Sequence, residues 1–249
     1  MEGSAGDDRH AARQPGAPDW SELESALQRS TEAWATELSR DGVEIEARTA
    51  QGPAAHVLIE ASREADLLVV GARGLGRAEG LVLGSVSQRC ASNSVVPTAV
   101  IGMEAPLGPA RRILVGYDAS TNARTAAQWA LGFAQPGTAI TILDALPIAP
   151  WLAPDLVRER FPAEVHAAEK EFETHMAELD PHNRATHTFV IADARVALLN
   201  ASQSADLLVL GARGRGKLSA MLLGSTTTWM LHDATRATIV VPAPDRTRD

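Results

Sequence analysis

Apolar and polar positions follow two rhythms along the chain. Short apolar runs end in glycine or turn residues at Arg112–Asp118, Ala139–Leu143, Thr186–Ile191, Leu207–Leu210 and Thr238–Val241. Continuous apolar runs of about four to eight residues suit strands buried on both faces of a parallel sheet. Between them the spacing changes to steps of three and four. From Ala163 to Leu179 the apolar positions are Val165, Ala168, Phe172, Met176 and Leu179, one face of a helix. Ser120 stands where it can cap a helix reaching about Ala134. Further helices are expected over Arg195–Ser202 and Ser225–Asp233. Strands alternating with helices predict an α/β domain with a parallel sheet over residues 111–243.

The same pattern occurs earlier in the chain. Asp66-Leu-Leu-Val-Val-Gly-Ala-Arg-Gly74 returns 140 residues later as Asp206-Leu-Leu-Val-Leu-Gly-Ala-Arg-Gly214. At the same offset Ala61-Ser62 falls on Ala201-Ser202, Gly84-Ser85 on Gly224-Ser225, and Thr98–Ile101 on Thr238–Val241. The period is that of a domain, which makes this a duplication and not a solenoid. The first copy, residues 20–105, should hold a helix Trp20–Arg40 with Leu23, Leu27, Trp34 and Leu38 on one face. Strands are expected at Val43–Ala47, Leu67–Val70 and Val95–Ile101, and helices at Pro53–Arg63 and Ser85–Ala91. The counterpart of Arg112 would precede Met1, so the first copy lacks the first strand, first helix and second strand. A shortened gene product and a degenerate partner domain both account for this. Residues 1–19 read as a loose arm and 244–249 as a tail.

Composition narrows the function. With 45% hydrophobic and 22% charged residues the chain is globular, and 249 residues suit two domains. A net charge of −8 argues against a general grip on nucleic acid or an anionic membrane. No apolar run reaches about 18 residues, and the first 19 lack the apolar core of a signal peptide. Cys90 is the only cysteine, which rules out an intrachain disulfide and a cysteine-based zinc site; a reducing, cytoplasmic compartment is expected. The seven histidines have no metal spacing, and no metal ligands are assigned. Cys90 reads as a buried residue. Trp129, Trp151 and Trp229 read as packing residues, with Trp151 in its proline-rich loop a candidate cover for a pocket mouth.

The chemical signal is Gly-x2-Gly-x9-Gly-Ser, present twice: Gly71, Gly74, Gly84 and Ser85, then Gly211, Gly214, Gly224 and Ser225. Each loop leaves the carboxyl end of an apolar strand, the edge where α/β folds bind ligands. Glycines permit positive φ and let backbone N–H groups approach an anion. Gly-Ser then opens a helix, whose free N–H groups and dipole favour phosphate. A tight βα turn copied by duplication is the plainer explanation of the same glycines. Gly211-Ala-Arg-Gly-Arg-Gly-Lys217 imitates the start of a Walker A loop, but Leu218 stands where Ser or Thr is needed, and Arg77 replaces the lysine in the first copy. A P-loop NTPase is therefore not expected, and no GxGxxG dinucleotide fingerprint is present.

The repeated Asp-Leu-Leu-Val-Val-Gly-Ala-Arg-Gly, the following Gly-Ser-Val-Ser, and Ile113-Leu-Val-Gly-Tyr-Asp-Ala-Ser120 resemble the universal stress protein (UspA-like) family over about residues 20–243. The glycine spacing resembles the family's ATP-binding branch. The resemblance implies Rossmann-like (adenine nucleotide alpha hydrolase-like) α/β domains, with five parallel strands in the order 3-2-1-4-5. It implies ATP, with or without Mg²⁺, across the carboxyl edge. It also implies pairing through the fifth strands, within a homodimer or between the two repeats. By position it places Asp118 at the nucleoside with Gly116 and Tyr117 beside it, and Ala145 against adenine. Gly211, Arg213, Gly214, Gly224, Ser225 and Thr226 fall at the phosphates. Thr226 departs from the usual valine but keeps a backbone donor. The first copy has Gly71, Gly74, Gly84, Ser85 and Val86 but no counterpart of Asp118 or Ala145, so one competent site per chain is expected.

Turnover is a separate question. Arg213, Arg215 and Lys217 suit a polyphosphate, whereas Leu207 to His232 contains no Asp or Glu. Phosphoryl transfer normally needs carboxylates to hold Mg²⁺ and orient the nucleophile. Asp118 and Asp144 fall at strand ends; Asp144 reads as an ordinary strand-end polar residue. No catalytic residue is assigned. An ATP-binding stress sensor with slow or no hydrolysis, acting on an unidentified protein partner, is the expectation. A nucleotide-free interaction scaffold is the alternative. An adenylate-forming or pyrophosphatase-type enzyme is disfavoured because its Ser-Gly-Gly-x-Asp-Ser loop is absent.

Overall fold

The computed structural model describes residues 20–39, 42–73, 83–102, 105–106, 108–149, 151–215, 223–233 and 236–243. The chain forms two compact units, residues 1–52 and 53–249. The expected arm (1–19) and tail (244–249) lie outside the described residues.

In the first unit, helix α1 (Trp20–Leu38) runs beside an extended stretch. Thr49 Oγ1 donates to Gln28 Oε1 at 2.8 Å, and Gln51 Nε2 to Glu24 Oε2 at 3.3 Å. No strand forms over Val43–Ala47, contrary to the pattern-based expectation. A strand needs a ladder partner. The equivalent strand of the second repeat pairs only with a strand that has no counterpart in the first repeat of this sequence. The face Leu23, Leu27, Trp34 and Leu38 is exposed. Val165, Phe172 and Met176 share the spacing of Leu27, Trp34 and Leu38, yet all three are buried.

The second unit contains α2 (Ala54–Ala61), β1 (Leu68–Gly71), α3 (Ser85–Asn93) and β2 (Thr98–Ile101) from the first repeat. The second repeat supplies β3 (Arg112–Tyr117), α4 (Thr121–Phe133), β4 (Ala139–Leu146), α5 (Pro154–Arg160), α6 (Pro162–Leu179), β5 (Ala185–Ile191), α7 (Ala194–Ser202), β6 (Leu207–Gly211), α8 (Ser225–Asp233) and β7 (Ala237–Val241). The short helix α5 is not signalled by the apolar pattern. One seven-stranded sheet runs β1-β2-β7-β6-β3-β4-β5. All neighbours are parallel except β2 and β7, which pair antiparallel with Ala99 opposite Ile239. Within the second repeat the order is therefore the third, second, first, fourth and fifth strand.

Both faces of the sheet are covered at its central strands β3, β4 and β6, which explains their unbroken apolar runs. Ile113, Val115 and Tyr117 of β3 meet α4 and α6 through Ala126, Ala127, Ala130, Phe172 and Met176. Leu114, Leu143, Leu208 and Leu210 meet Leu198 of α7 and Met230 of α8 on the opposite face. Four alanines buried along α4 let that helix lie close to the strands, and Ser120 Oγ caps it by accepting from Ala123 N at 3.2 Å. A third cluster joins the repeats: Ala72, Leu83, Ala91 and Val100 meet their own counterparts Ala212, Leu223, Leu231 and Val240. The contact is self-complementary, as an isologous interface between two chains would be. Among the described residues no helix is long and apolar enough to cross a membrane.

Candidate functional site

A cavity of about 360 Å³ opens at the carboxyl edge of β3, β4 and β6. β3 delivers Gly116, Tyr117 and Asp118 to its wall, β4 delivers Asp144 and Ala145, and the segment after β6 delivers Gly211, Arg213, Gly214 and Arg215. Gly224, Ser225 and Thr226 close it at the start of α8. Every residue assigned to the second repeat's site thus borders one space. Lys217 and Gly74 lie outside the described residues. Of the first repeat's set, Gly71 ends β1, Gly84 precedes α3, and Ser85 and Val86 begin it.

The two glycine loops share a hydrogen-bond anatomy. Gly224 N donates to Ala212 O at 2.8 Å, and Thr227 Oγ1 to Gly211 O at 2.8 Å. In the first repeat Gly84 N donates to Ala72 O at 2.7 Å, and Ser87 Oγ to Gly71 O at 2.6 Å. The described glycines of the two motifs do not serve by left-handed geometry, as their type suggested. The described glycines with positive φ are Gly42, Gly52, Gly108 and Gly137, none of them in either motif. Close approach to backbone is what demands glycine at Gly211, and at Gly214 the missing Cβ leaves room for a side chain. A Cβ at Gly211 would press on the Asn122 backbone, and one at Gly214 would collide with Asp118 Oδ2.

Gly224 O accepts the first helical bond of α8, from Thr228 N at 2.9 Å. The N–H groups of Ser225, Thr226 and Thr227 find no acceptor among the described residues, so this end of the cavity presents donors to an anion. Arg213 and Arg215 also border the cavity and bring positive charge to it. Arg215 is also tied down: its N donates to Asp118 Oδ2 at 3.0 Å, its Nε to Asp118 O, and its guanidinium lies 4.0 Å from Glu171 Oε1.

Asp144 is the residue that sequence reasoning undervalued. It is only 9% exposed and borders the cavity instead of standing at a solvated strand end. Pairing places it level with Tyr117 on β3 and Phe189 on β5, on the face covered by α6. Burial pushes its pKa from an ordinary 3.8 to about 6; Arg215 opposes the shift and Asp118 adds to it. A recess of about 40 Å³ adjoins the cavity and is lined by Asp144, Glu171, His175 and Arg215 with Phe172 and Phe189. Tyr117 Oη and His175 Nδ1 are buried without a hydrogen-bond partner among the described residues. Burial also raises the Tyr117 pKa. The alternation of apolar residues marks β4 as buried, so an acid inside it was the available signal.

Other expectations sort simply. Cys90 is fully buried, and burial raises its thiol pKa. Trp129 stacks on Phe133 at 4.6 Å, and Arg195 lies over Trp229 at 6.0 Å. Trp151 is not a packing residue: it is 87% exposed and does not border the cavity. Among the described residues nothing covers it. Among the described residues no group of three His, Cys, Asp or Glu could hold a metal ion.

Comparison with known proteins agrees with this architecture. The profile described as Universal stress protein family matches residues 4–102 and again 109–242. Universal stress protein Rv2623 of Mycobacterium tuberculosis is 32% identical over 184 residues, 70% of this chain and 61% of that protein. Universal stress protein Mb2019 of Mycobacterium bovis is 30% identical over 226 residues, 84% of this chain and 70% of that protein. The chain thus spans less than two thirds of the length of Rv2623. In fold, it is similar to a universal stress protein from Archaeoglobus fulgidus, with a TM-score of 0.70 at 19% identity, covering 94% of this chain and 84% of that one. With two matches that together take in most of its length, the chain belongs to the universal stress protein family.

Proposed function

We propose that the protein is an ATP-binding stress-response sensor that holds one nucleotide per chain and hydrolyses it slowly or not at all. The observation that carries this reading is the polarity of the cavity. One end is the glycine loop with Arg213 and the N–H groups of Ser225, Thr226 and Thr227, which have no acceptor among the described residues, and the other is the wall of Tyr117, Asp144, Ala145 and Pro147, which Arg215 also approaches. A ligand with an anionic tail and a flat, donor-bearing head fits that division. Magnesium would arrive on the phosphates, since among the described residues the cavity wall offers only Asp118 and Asp144 as carboxylates. Asp118 is engaged by backbone N–H groups, and Asp144 is buried between Tyr117 of β3 and Phe189 of β5, so neither carboxylate stands free to hold a metal and orient a nucleophile. Occupancy would change the surface around Arg213–Arg215, and a partner protein would read that change.

The test is to purify the protein natively, denature it and identify released nucleotide, then titrate ATP into wild type and Gly224→Val. Bound adenine nucleotide that is lost in the variant supports the reading. Equal titration of both proteins, or no binding at all, rejects it. A sustained turnover above about 1 s⁻¹, an ordinary lower value for enzymes, would reject the claim of slow hydrolysis. One observation favours a nucleotide-free scaffold instead: the first repeat keeps the same loop hydrogen bonds with no counterpart of Asp118 or Ala145.

A further inference from the structure

We propose that Asp118 is a positioning residue: it braces Arg213–Arg215 into the shape that receives the phosphates and leaves the nucleoside to other groups. The inference rests on the nucleotide reading above but concerns a different set of atoms from those the family resemblance suggested. Both oxygens of the Asp118 carboxylate are engaged within the chain. Oδ1 accepts from Ser120 N at 3.1 Å and Oδ2 from Arg215 N at 3.0 Å, while the Asp118 carbonyl accepts from Arg215 Nε. Ser120 adds a further stitch, its Oγ donating to Arg213 O at 3.4 Å. The turn that aims the carboxylate holds Ala119 at φ 59°, a left-handed conformation unfavourable for an alanine. Such a conformation persists only where surrounding contacts impose it. On the far side Gly214 has no Cβ, and one would occupy the place of Oδ2. Four features in two separate segments therefore converge on one carboxylate.

The charge balance agrees. An unengaged carboxylate beside a triphosphate would repel it, whereas one whose two oxygens each accept a backbone N–H is partly compensated. The brace also explains how a segment with no acid of its own keeps two arginines at the cavity wall. Arg215 is held from two sides, with Glu171 of α6 opposite Asp118.

A nucleoside contact and a phosphate-loop brace differ in which ligand feels their loss. Titration of wild type, Asp118→Ala and Asp118→Asn with ATP and with adenosine separates them. The brace predicts that Asp118→Ala weakens ATP at least tenfold and adenosine less than threefold, with Asn restoring part of the ATP affinity through its remaining oxygen. Equal losses for the two ligands overturn the proposal. Hydrogen exchange on the ligand-free proteins provides a readout independent of nucleotide: the Arg215 amide should exchange at least tenfold faster in Asp118→Ala than in wild type. Equal exchange overturns the brace whatever the titrations show. Faster exchange in a protein that binds neither ligand supports the brace and overturns the nucleotide reading.

Discussion

Gly211, at the end of β6, lies against Asn122 in the first turn of α4: a Cβ added to it would come within 2.7 Å of the Asn122 carbonyl carbon. The helix backbone cannot yield as a side chain would. Gly211→Ala should destabilise the protein by about 1–3 kcal/mol, the usual cost of overpacking. Gly71, its counterpart, has only Arg73 O at 3.3 Å, because the first repeat has no equivalent of α4. Gly71→Ala should cost less than about 1 kcal/mol. Urea unfolding of the two variants checks the contrast, and equal losses would refute it.

Asp144 makes stability depend on pH in a defined direction. Its folded pKa, about 6, is above the ordinary 3.8, so the folded state binds its proton more tightly than the unfolded state does. The stabilisation is fully present below pH 3.8 and is lost as pH rises through about 6. At pH 7.5 the buried charge is a net cost, and Asp144→Asn should raise stability by about 1–2 kcal/mol. At pH 4 the gain should disappear. Thermal unfolding at the two pH values tests this; a gain of the same size at both would contradict it.

Asp180 works in the opposite sense and away from the cavity. It is 2% exposed and accepts from Arg184 N at 3.0 Å, Ala185 N at 2.8 Å and His187 Nε2 at 3.2 Å. Burial alone would raise its pKa, but these hydrogen bonds outweigh it and hold the carboxyl below its usual value. Its stabilisation is present above the ordinary carboxylate pKa and lost as pH falls through the lowered folded value. Asp180→Ala deprives two part-buried N–H groups of their acceptor at the entry to β5 and should cost about 1–2 kcal/mol. ATP affinity should stay within twofold of wild type, and a tenfold loss would show that β5 is coupled to the cavity.

Stoichiometry follows from the asymmetry of the repeats. Calorimetric titration should reach saturation at one ATP per chain, since Tyr117, Asp144 and Ala145 have no equivalents in the first repeat. A second equivalent bound with similar affinity would show that the Gly71–Gly84 loop suffices alone.

The elements of the second repeat were legible because each local rule agreed with the next. Apolar runs gave β3 to β7, steps of three and four gave α6, and Ser120 gave the start of α4. The strand expected at Val43–Ala47 failed although its residues suit a strand, since ladder bonds come from a neighbour and not from propensity. Trp151 failed similarly: a large apolar side chain is buried only if something is available to cover it. The glycines of the loops were identified by spacing, but the reason for them was not, because their crowding comes from Asn122 and Asp118, far away in sequence.

From its order of residues alone, the chain determined its class, its duplication and the place of its glycine loops. Those properties are periodic and local, and hydrophobic patterning and turn chemistry record them directly. Tertiary structure decided which acid matters and how. Asp118 and Arg215 stand 97 residues apart and meet only because β3 and β6 are parallel neighbours that end at the same edge. Asp144 acquires its shifted proton affinity only under α6. Hydrogen bonds and desolvation act over a few ångströms, and which residues come within that range is settled by strand order, which no local pattern encodes.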